Sequence, residues 1–177
     1  MQKTRHQFFP VNKKTPEHLA SVIKVFNEYE EKISSHKHKL DSNAVLEILR
    51  KNLEGVGFRI ETGKKKNEKI KIPVLFGENG RTIKSFDVDG YHEEFKTVLE
   101  VEAGRGVTNY QFLKDFFSAC IMVNIDYCII AIRDIYTTGK NTKSTSKDFE
   151  KVKDFFDSMY ASGRMNIPLK GLLIVGY

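Results

Sequence analysis

Two uninterrupted apolar runs, Tyr127-Cys128-Ile129-Ile130-Ala131-Ile132 and Leu172-Leu173-Ile174-Val175, restrict the fold more than any other feature of the chain. A strand without polar alternation has to be covered on both faces, as happens in a sheet packed between layers of helix. Helical spacing precedes each run: Phe112, Phe116, Ala119 and Val123 before the first, and Phe149, Val152, Phe155, Phe156 and Met159 over 147–160 before the second. A helix that leads from one strand into a doubly buried one implies a crossover connection. The expected fold class is therefore α/β, a mixed β-sheet sandwiched by α-helices. With 177 residues, 40% of them hydrophobic and no internal repeat, the chain is expected to form a single domain over 1–177.

The N-terminal part reads as a basic, irregular arm over 1–14, followed by two helices. Thr15-Pro16-Glu17 combines a cap, a proline at the first helical position and an acid in the first turn. Leu19, Val22, Ile23, Phe26, Tyr29 and Ile33 then keep helical spacing, so a helix to about Ile33 is predicted. His36 and His38 fall in a polar link read as solvated loop. A second helix is predicted from Asp41 or Ser42 to about Leu53, ended by Gly55 and Gly57 and followed by a strand at Phe58 to Glu61. A basic loop at 63–69 leads to a strand at Ile70 to Phe76 and a turn at Asn79-Gly80. Thr108 and Gln111 have capping-box spacing and open the helix after the central hairpin. Residues 137–147 form a polar loop without apolar content.

The central hairpin carries the chemistry. Alternation over Phe86–Tyr91 and Lys96–Gly104, with a polar turn at 91–94, sets Asp89 opposite Lys96 and Asp87 opposite Val98. Because strands alternate faces, Asp87, Asp89, Lys96, Glu100 and Glu102 share one side, while Thr97, Leu99, Val101 and Ala103 share the other. Four carboxylates on one face repel unless a cation or a shared proton compensates. A hard divalent ion such as Mg²⁺ takes oxygen ligands and is held by one or two carboxylates beside a phosphate. Asp89 and Glu100 are the expected ligand pair, completed by the main-chain carbonyl of Val101. Glu102, one pleat on, is placed to orient or deprotonate an attacking water. Asp87 competes with Asp89 on parity; the following Gly90 favours Asp89, by letting the backbone bend toward a ligand.

Val88-Asp89-Gly90 followed by Glu100-Val101-Glu102, with a helix, a buried strand and a further helix and strand behind, resembles the PD-(D/E)XK nuclease superfamily. Val88 stands where the motif has proline, and Glu102 stands at the lysine position; some type II restriction endonucleases of the superfamily carry Glu-x-Glu there. The resemblance implies a restriction-endonuclease-like fold and cleavage of nucleic acid that depends on Mg²⁺ or Mn²⁺, by a restriction, phage or mobile-element nuclease. Its implied substrate is double-stranded DNA, with a homodimer if both strands are cut. Many members add an acid from a helix before the sheet, a position that Glu47 or Glu54 would fill. Gln111 is within reach of such a site, although its capping box already accounts for it. A formal charge of +6 fits an anionic partner, and Lys64, Lys65, Lys66, Lys96, Arg105, Lys140 and Lys143 are the candidate phosphate contacts. The competing readings are a catalytically inactive nucleic-acid-binding module on the same fold, and a protein-interaction domain using the acidic hairpin.

Cys120 and Cys128 lie in apolar runs without metal-ligand spacing, which suits buried thiols in a reduced compartment. No apolar run reaches the length of a membrane span, and Met1-Gln2-Lys3-Thr4-Arg5 lacks the apolar core of a signal peptide. A cytoplasmic protein is expected.

Overall fold

Thr97–Glu102, Tyr127–Ile132 and Gly171–Gly176 run parallel at the centre of the molecule. Their side chains alternate between two apolar layers. Leu99, Val101, Ile129, Ala131, Leu173 and Val175 meet Leu19, Val22, Phe26, Val45, Leu49 and Leu53 on one face. Val98, Cys128, Ile130, Leu172 and Ile174 meet Phe112, Phe116, Phe149, Val152 and Phe156 on the other. This is the double coverage that the apolar runs demand.

The computed structural model describes residues 4–63, 68–104, 106–138 and 144–177. In chain order the elements are β1 (Arg5–Phe9), α1 (Glu17–Glu28), α2 (Glu30–Ile33), α3 (Ser42–Gly55), β2 (Arg59–Ile60), β3 (Ile70–Phe76) and a 3₁₀ turn at Glu78–Gly80. They continue with β4 (Thr82–Val88), β5 (Gly90–His92), β6 (Thr97–Glu102), α4 (Gln111–Ile121), β7 (Tyr127–Ile132), β8 (Ile135–Thr138), β9 (Ser144–Lys147), α5 (Asp148–Ser162) and β10 (Gly171–Gly176). The main sheet has the order β1-β10-β7-β6-β5-β2, with α1 and α3 over one face and α4 and α5 over the other. The expected α/β sandwich with a mixed sheet is what forms. No helix among the described residues is long and apolar enough to cross a membrane.

Three local expectations are corrected. The segment read as an irregular arm contains β1, antiparallel to β10, because Phe8 and Phe9 alternate into the two core layers and anchor an edge strand. The polar stretch read as a loop over 137–147 contributes most of the two-stranded β8–β9 ribbon, in which Tyr136 faces Ser146 and Thr137 faces Thr145. Threonine and tyrosine favour strands without apolar alternation, so periodicity could not disclose it. Thr108 does not cap α4: the helix starts at Gln111, after Tyr110 in a left-handed conformation (φ 52°). The Gln111 N–H instead donates to the Gly106 carbonyl at 2.8 Å.

The His36–His38 link is exposed, as read, and its two imidazoles each meet an acceptor. His36 Nε2 lies 2.6 Å from Oδ2 of the buried Asp134, and His38 Nε2 lies 2.9 Å from the Glu31 carbonyl. Cys128 is buried and Cys120 half-buried, and neither is in a disulfide.

Candidate active site

The acids gather where the sheet divides. β4 pairs with β3 in a separate two-stranded ribbon, whereas β5 pairs with β6 in the main sheet. Asp89 is the single residue between β4 and β5. Its carbonyl accepts the Glu61 N–H at 2.9 Å, and its Oδ2 accepts the Val101 N–H at 2.8 Å. The β5–β6 register sets Gly90 opposite Leu99, Tyr91 opposite Val98 and His92 opposite Thr97. The turn therefore falls after His92 and not at Tyr91, and continuing the register brings Asp89 level with Glu100 rather than with Lys96. Because the register moves by an even number of residues, the acids keep their common face.

Lys96 is thereby removed from the group. It sits in the turn in a left-handed conformation (φ 48°), its carbonyl accepting the Asp126 and Tyr127 N–H groups. It precedes β6, at the end of that strand remote from Glu100 and Glu102. Gly90 earns its place by packing: a Cβ there would stand 2.9 Å from Ile60 Cδ1 and 3.2 Å from Leu99 Cβ. Between the two candidate aspartates, Asp89 is the interior one. Asp87 is 46% exposed and pairs with Lys71 across the ribbon at 2.7 Å, on the rim of the cleft.

The cleft itself measures about 490 Å³ and is lined by Asp87, Asp89, Glu100, Glu102 and several residues not foreseen. Glu61, just past β2, is buried and ion-paired with Lys69. Lys114 and Asp115 enter from α4, joined Nζ to Oδ1 at 3.0 Å, and Ser118 lies one turn further on. Asp115 had a legible signature: it stands three residues after Phe112 and four before Ala119, on the inward stripe of its helix. Glu61 and Lys69 had none: the path of β2 brings Glu61 to Asp89, and the β3–β4 pairing, which sets Ile70 opposite Val88, brings Lys69 beside it.

Glu47 is not brought here. Its side chain is 72% exposed and pairs with Arg50 at 2.8 Å, so it remains on the solvent side of α3, and Glu54 is exposed as well. Gln111 does not line the cleft. Lys64, Lys65, Lys66, Arg105, Lys140 and Lys143 lie outside the described residues.

Six acids and two lysines line one small cleft, and the electrostatics reflect it. Burial, reinforced by Glu61 and Asp115, pushes Asp89 up to about 7 despite the Val101 N–H and Lys69. Burial and the neighbouring Asp89 and Asp115 hold Glu100 well above the usual carboxylate range. Glu102 is pushed up to about 8 by burial and by its contact with the Asp115 carboxyl. Each group resists ionising because charge here is poorly hydrated and already crowded.

This donor set suits a hard divalent cation, being all oxygen and short of positive charge. The Asp115 and Glu102 carboxyls meet, a pairing that either a shared proton or a cation can hold together. Among the described residues no three His, Cys, Asp or Glu side chains are gathered to hold a metal by themselves. A cation would therefore draw on the Asp89 and Glu100 carboxylates, a main-chain oxygen and water.

Comparison with known proteins gives no matching family model and no match among curated proteins. Among solved structures, the restriction endonuclease BglII in complex with a DNA 16-mer aligns with a TM-score of 0.50 and 13% identity, over 99% of this chain and 76% of that one. Free BglII aligns with a TM-score of 0.45, also at 13% identity, over 99% of this chain and 79% of that one. The chain has a restriction-endonuclease-like fold.

Proposed function

We propose that the chain is a divalent-metal-dependent endonuclease that hydrolyses phosphodiester bonds of DNA. One observation carries the reading: the sheet divides at Asp89 so that its carboxylate comes level with Glu100, with Glu102 one pleat beyond in the same cleft. Support for DNA as substrate comes from the net charge of +6 and from the fold shared with BglII, a restriction enzyme described bound to DNA.

Asp89 and Glu100 would hold Mg²⁺ or Mn²⁺. The ion, when bound, supplies Lewis acidity that offsets charge developing on the phosphoryl oxygens. Glu102 takes a proton from the attacking water once a bound cation has displaced the proton that burial and Asp115 hold on its carboxyl. Lys69 and Lys114 keep positive charge beside the acids and help an anionic backbone approach them. A homodimer would present two such sites and allow both strands to be cut.

Calorimetric titration of Mg²⁺ or Mn²⁺ into wild type and Glu100→Gln, with plasmid nicking assayed in parallel, tests the reading. Binding and nicking should both be present in wild type and lost in the variant. Wild-type protein that binds no divalent ion would retire catalysis and leave a binding module.

A further inference from the structure

We propose that the cavity between the segment 107–112 and the β8–β9 ribbon receives one unstacked base of a DNA strand whose backbone lies in the acidic cleft. The proposal deepens the DNA-cleavage reading above and rests on it. The cavity measures about 560 Å³, within the usual range of ligand sites, and is distinct from the acidic cleft. Four aromatic side chains line it: Tyr110 and Phe112 at the start of α4, Tyr136 from β8 and Phe155 from α5. Tyr110 is 62% exposed and Phe155 40%, so two of the rings stand open to solvent around one hollow. Tyr110 also holds a left-handed backbone (φ 52°), a costly conformation for a bulky residue and one that clusters at functional sites. Phe112 meets Tyr110 at a 43° tilt and Phe155 edge-on at 76°, so neither contact stacks one ring on another and ring faces stay available to a planar guest.

Polar groups complete the lining. Thr108 and Ser146 offer hydroxyls that can donate to or accept from a base edge. Lys151 is exposed, its Nζ donating to Ser146 Oγ at 2.9 Å, and Ser146 Oγ donates in turn to Asp148. The lysine is thus available to a phosphate at the rim. The position of the cavity favours a nucleotide over other planar molecules. The Gly106 backbone lies against Glu102, where a Cβ would fall 3.0 Å from Glu102 Cβ, and the cavity wall begins at the next residue, Val107. Helix α4 serves both hollows, giving Phe112 to the cavity and Lys114 and Asp115 to the cleft. A strand with a phosphate beside Glu100 and Glu102 therefore has a neighbouring nucleotide at the aromatic rings, whose faces stack any base.

The test is photo-crosslinking of the wild-type chain, with Ca²⁺ present, to a mixed-sequence single-stranded oligodeoxynucleotide in which 5-iodouracil replaces thymine. Mass spectrometry should map crosslinks to Tyr110, Tyr136 or Phe155. In fluorescence anisotropy, Tyr110→Ala and Phe155→Ala should each weaken binding of the strand about 5- to 150-fold, the usual loss of one stacked base. Binding of an abasic strand of equal length should be the same in wild type and variants. Crosslinks confined to other residues, variants that bind the strand as wild type does, or an equal loss with the abasic strand would each overturn the base site. Those results in a chain that binds Mg²⁺ and nicks plasmid leave the cleavage reading standing. Crosslinks at the rings in a chain that binds no divalent ion would retire cleavage and keep the base site. Circular dichroism checks the folding of the variants, and the crosslinking needs none of them.

Discussion

Asp89 Oδ2 accepts the backbone N–H of Val101 at 2.8 Å, across the gap left where β4 departs to pair with β3. The side chain thereby extends the β5–β6 pairing by one rung and fixes its carboxylate beside Glu100. Asp89→Asn keeps an acceptor oxygen and removes the charge, so the variant should fold and bind no ion at the Asp89–Glu100 pair. Asp89→Ala leaves the buried Val101 N–H without an acceptor and should lower stability by about 1–3 kcal/mol. Urea denaturation of both variants beside a Mn²⁺ titration separates the two effects. Equal stability of the two would show that the hydrogen bond contributes nothing.

Glu102→Gln removes the base and leaves the Asp89–Glu100 pair intact. Single-turnover cleavage should slow by roughly 10²–10⁴-fold, the usual contribution of a positioned proton acceptor. The ion at Asp89–Glu100 should persist in calorimetry. A cleavage rate equal to wild type would assign Glu102 a role other than base.

The layered α/β architecture was legible because Ile129, Ile130, Leu172 and Leu173 leave no face of their strands for solvent. The common face of Asp89, Glu100 and Glu102 was legible because the strand period survives an even error in register. That error arose because residues 91–96 are polar enough for the turn to sit on either side of His92, and only packing of His92 against Phe58 and Phe95 fixes it. Lys96 was misplaced for that reason. Glu47 was misplaced for another: Arg50, one turn along α3, pairs with it on the outer side. Asp115 was missed although an acid on an apolar helical stripe is a readable anomaly. Glu61 could not be read at all, since its meeting with Asp89 depends on a contact between β2 and β5 far apart in sequence, and Lys69 follows from the β3–β4 register that sets Ile70 opposite Val88.

The Lys69–Glu61 ion pair should be worth more than a surface pair. Glu61 is buried, and its main-chain N–H also holds the Asp89 carbonyl. Lys69→Met leaves a buried carboxylate without its cation and should destabilise the metal-free protein by about 1–3 kcal/mol. The midpoint of urea denaturation should fall with an unchanged slope. An unmoved midpoint would mean that water replaces the lysine.

The metal-free protein should lose stability as pH rises through neutrality. Asp89 is pushed up to about 7, Glu102 up to about 8, and Glu100 well above its ordinary value, each through burial first. In the unfolded chain all three ionise near pH 4. Between those limits the folded state binds more protons, so stability falls with increasing pH. The contribution is whole below about pH 4, where both states are protonated, and disappears as pH passes through the folded values of about 7 and 8. A divalent ion replaces those protons, and its binding is favoured by ionised ligands. Mg²⁺ should therefore raise the melting temperature little under acidic conditions and progressively more toward alkaline pH. Glu100→Gln should flatten the metal-free decline and abolish the Mg²⁺ gain at that pair. Differential scanning calorimetry across this range, with and without Mg²⁺, checks both. A metal-free melting temperature that climbs between pH 5 and pH 8 would mean that the three carboxyls are ionised in the folded protein and compensated by its own lysines.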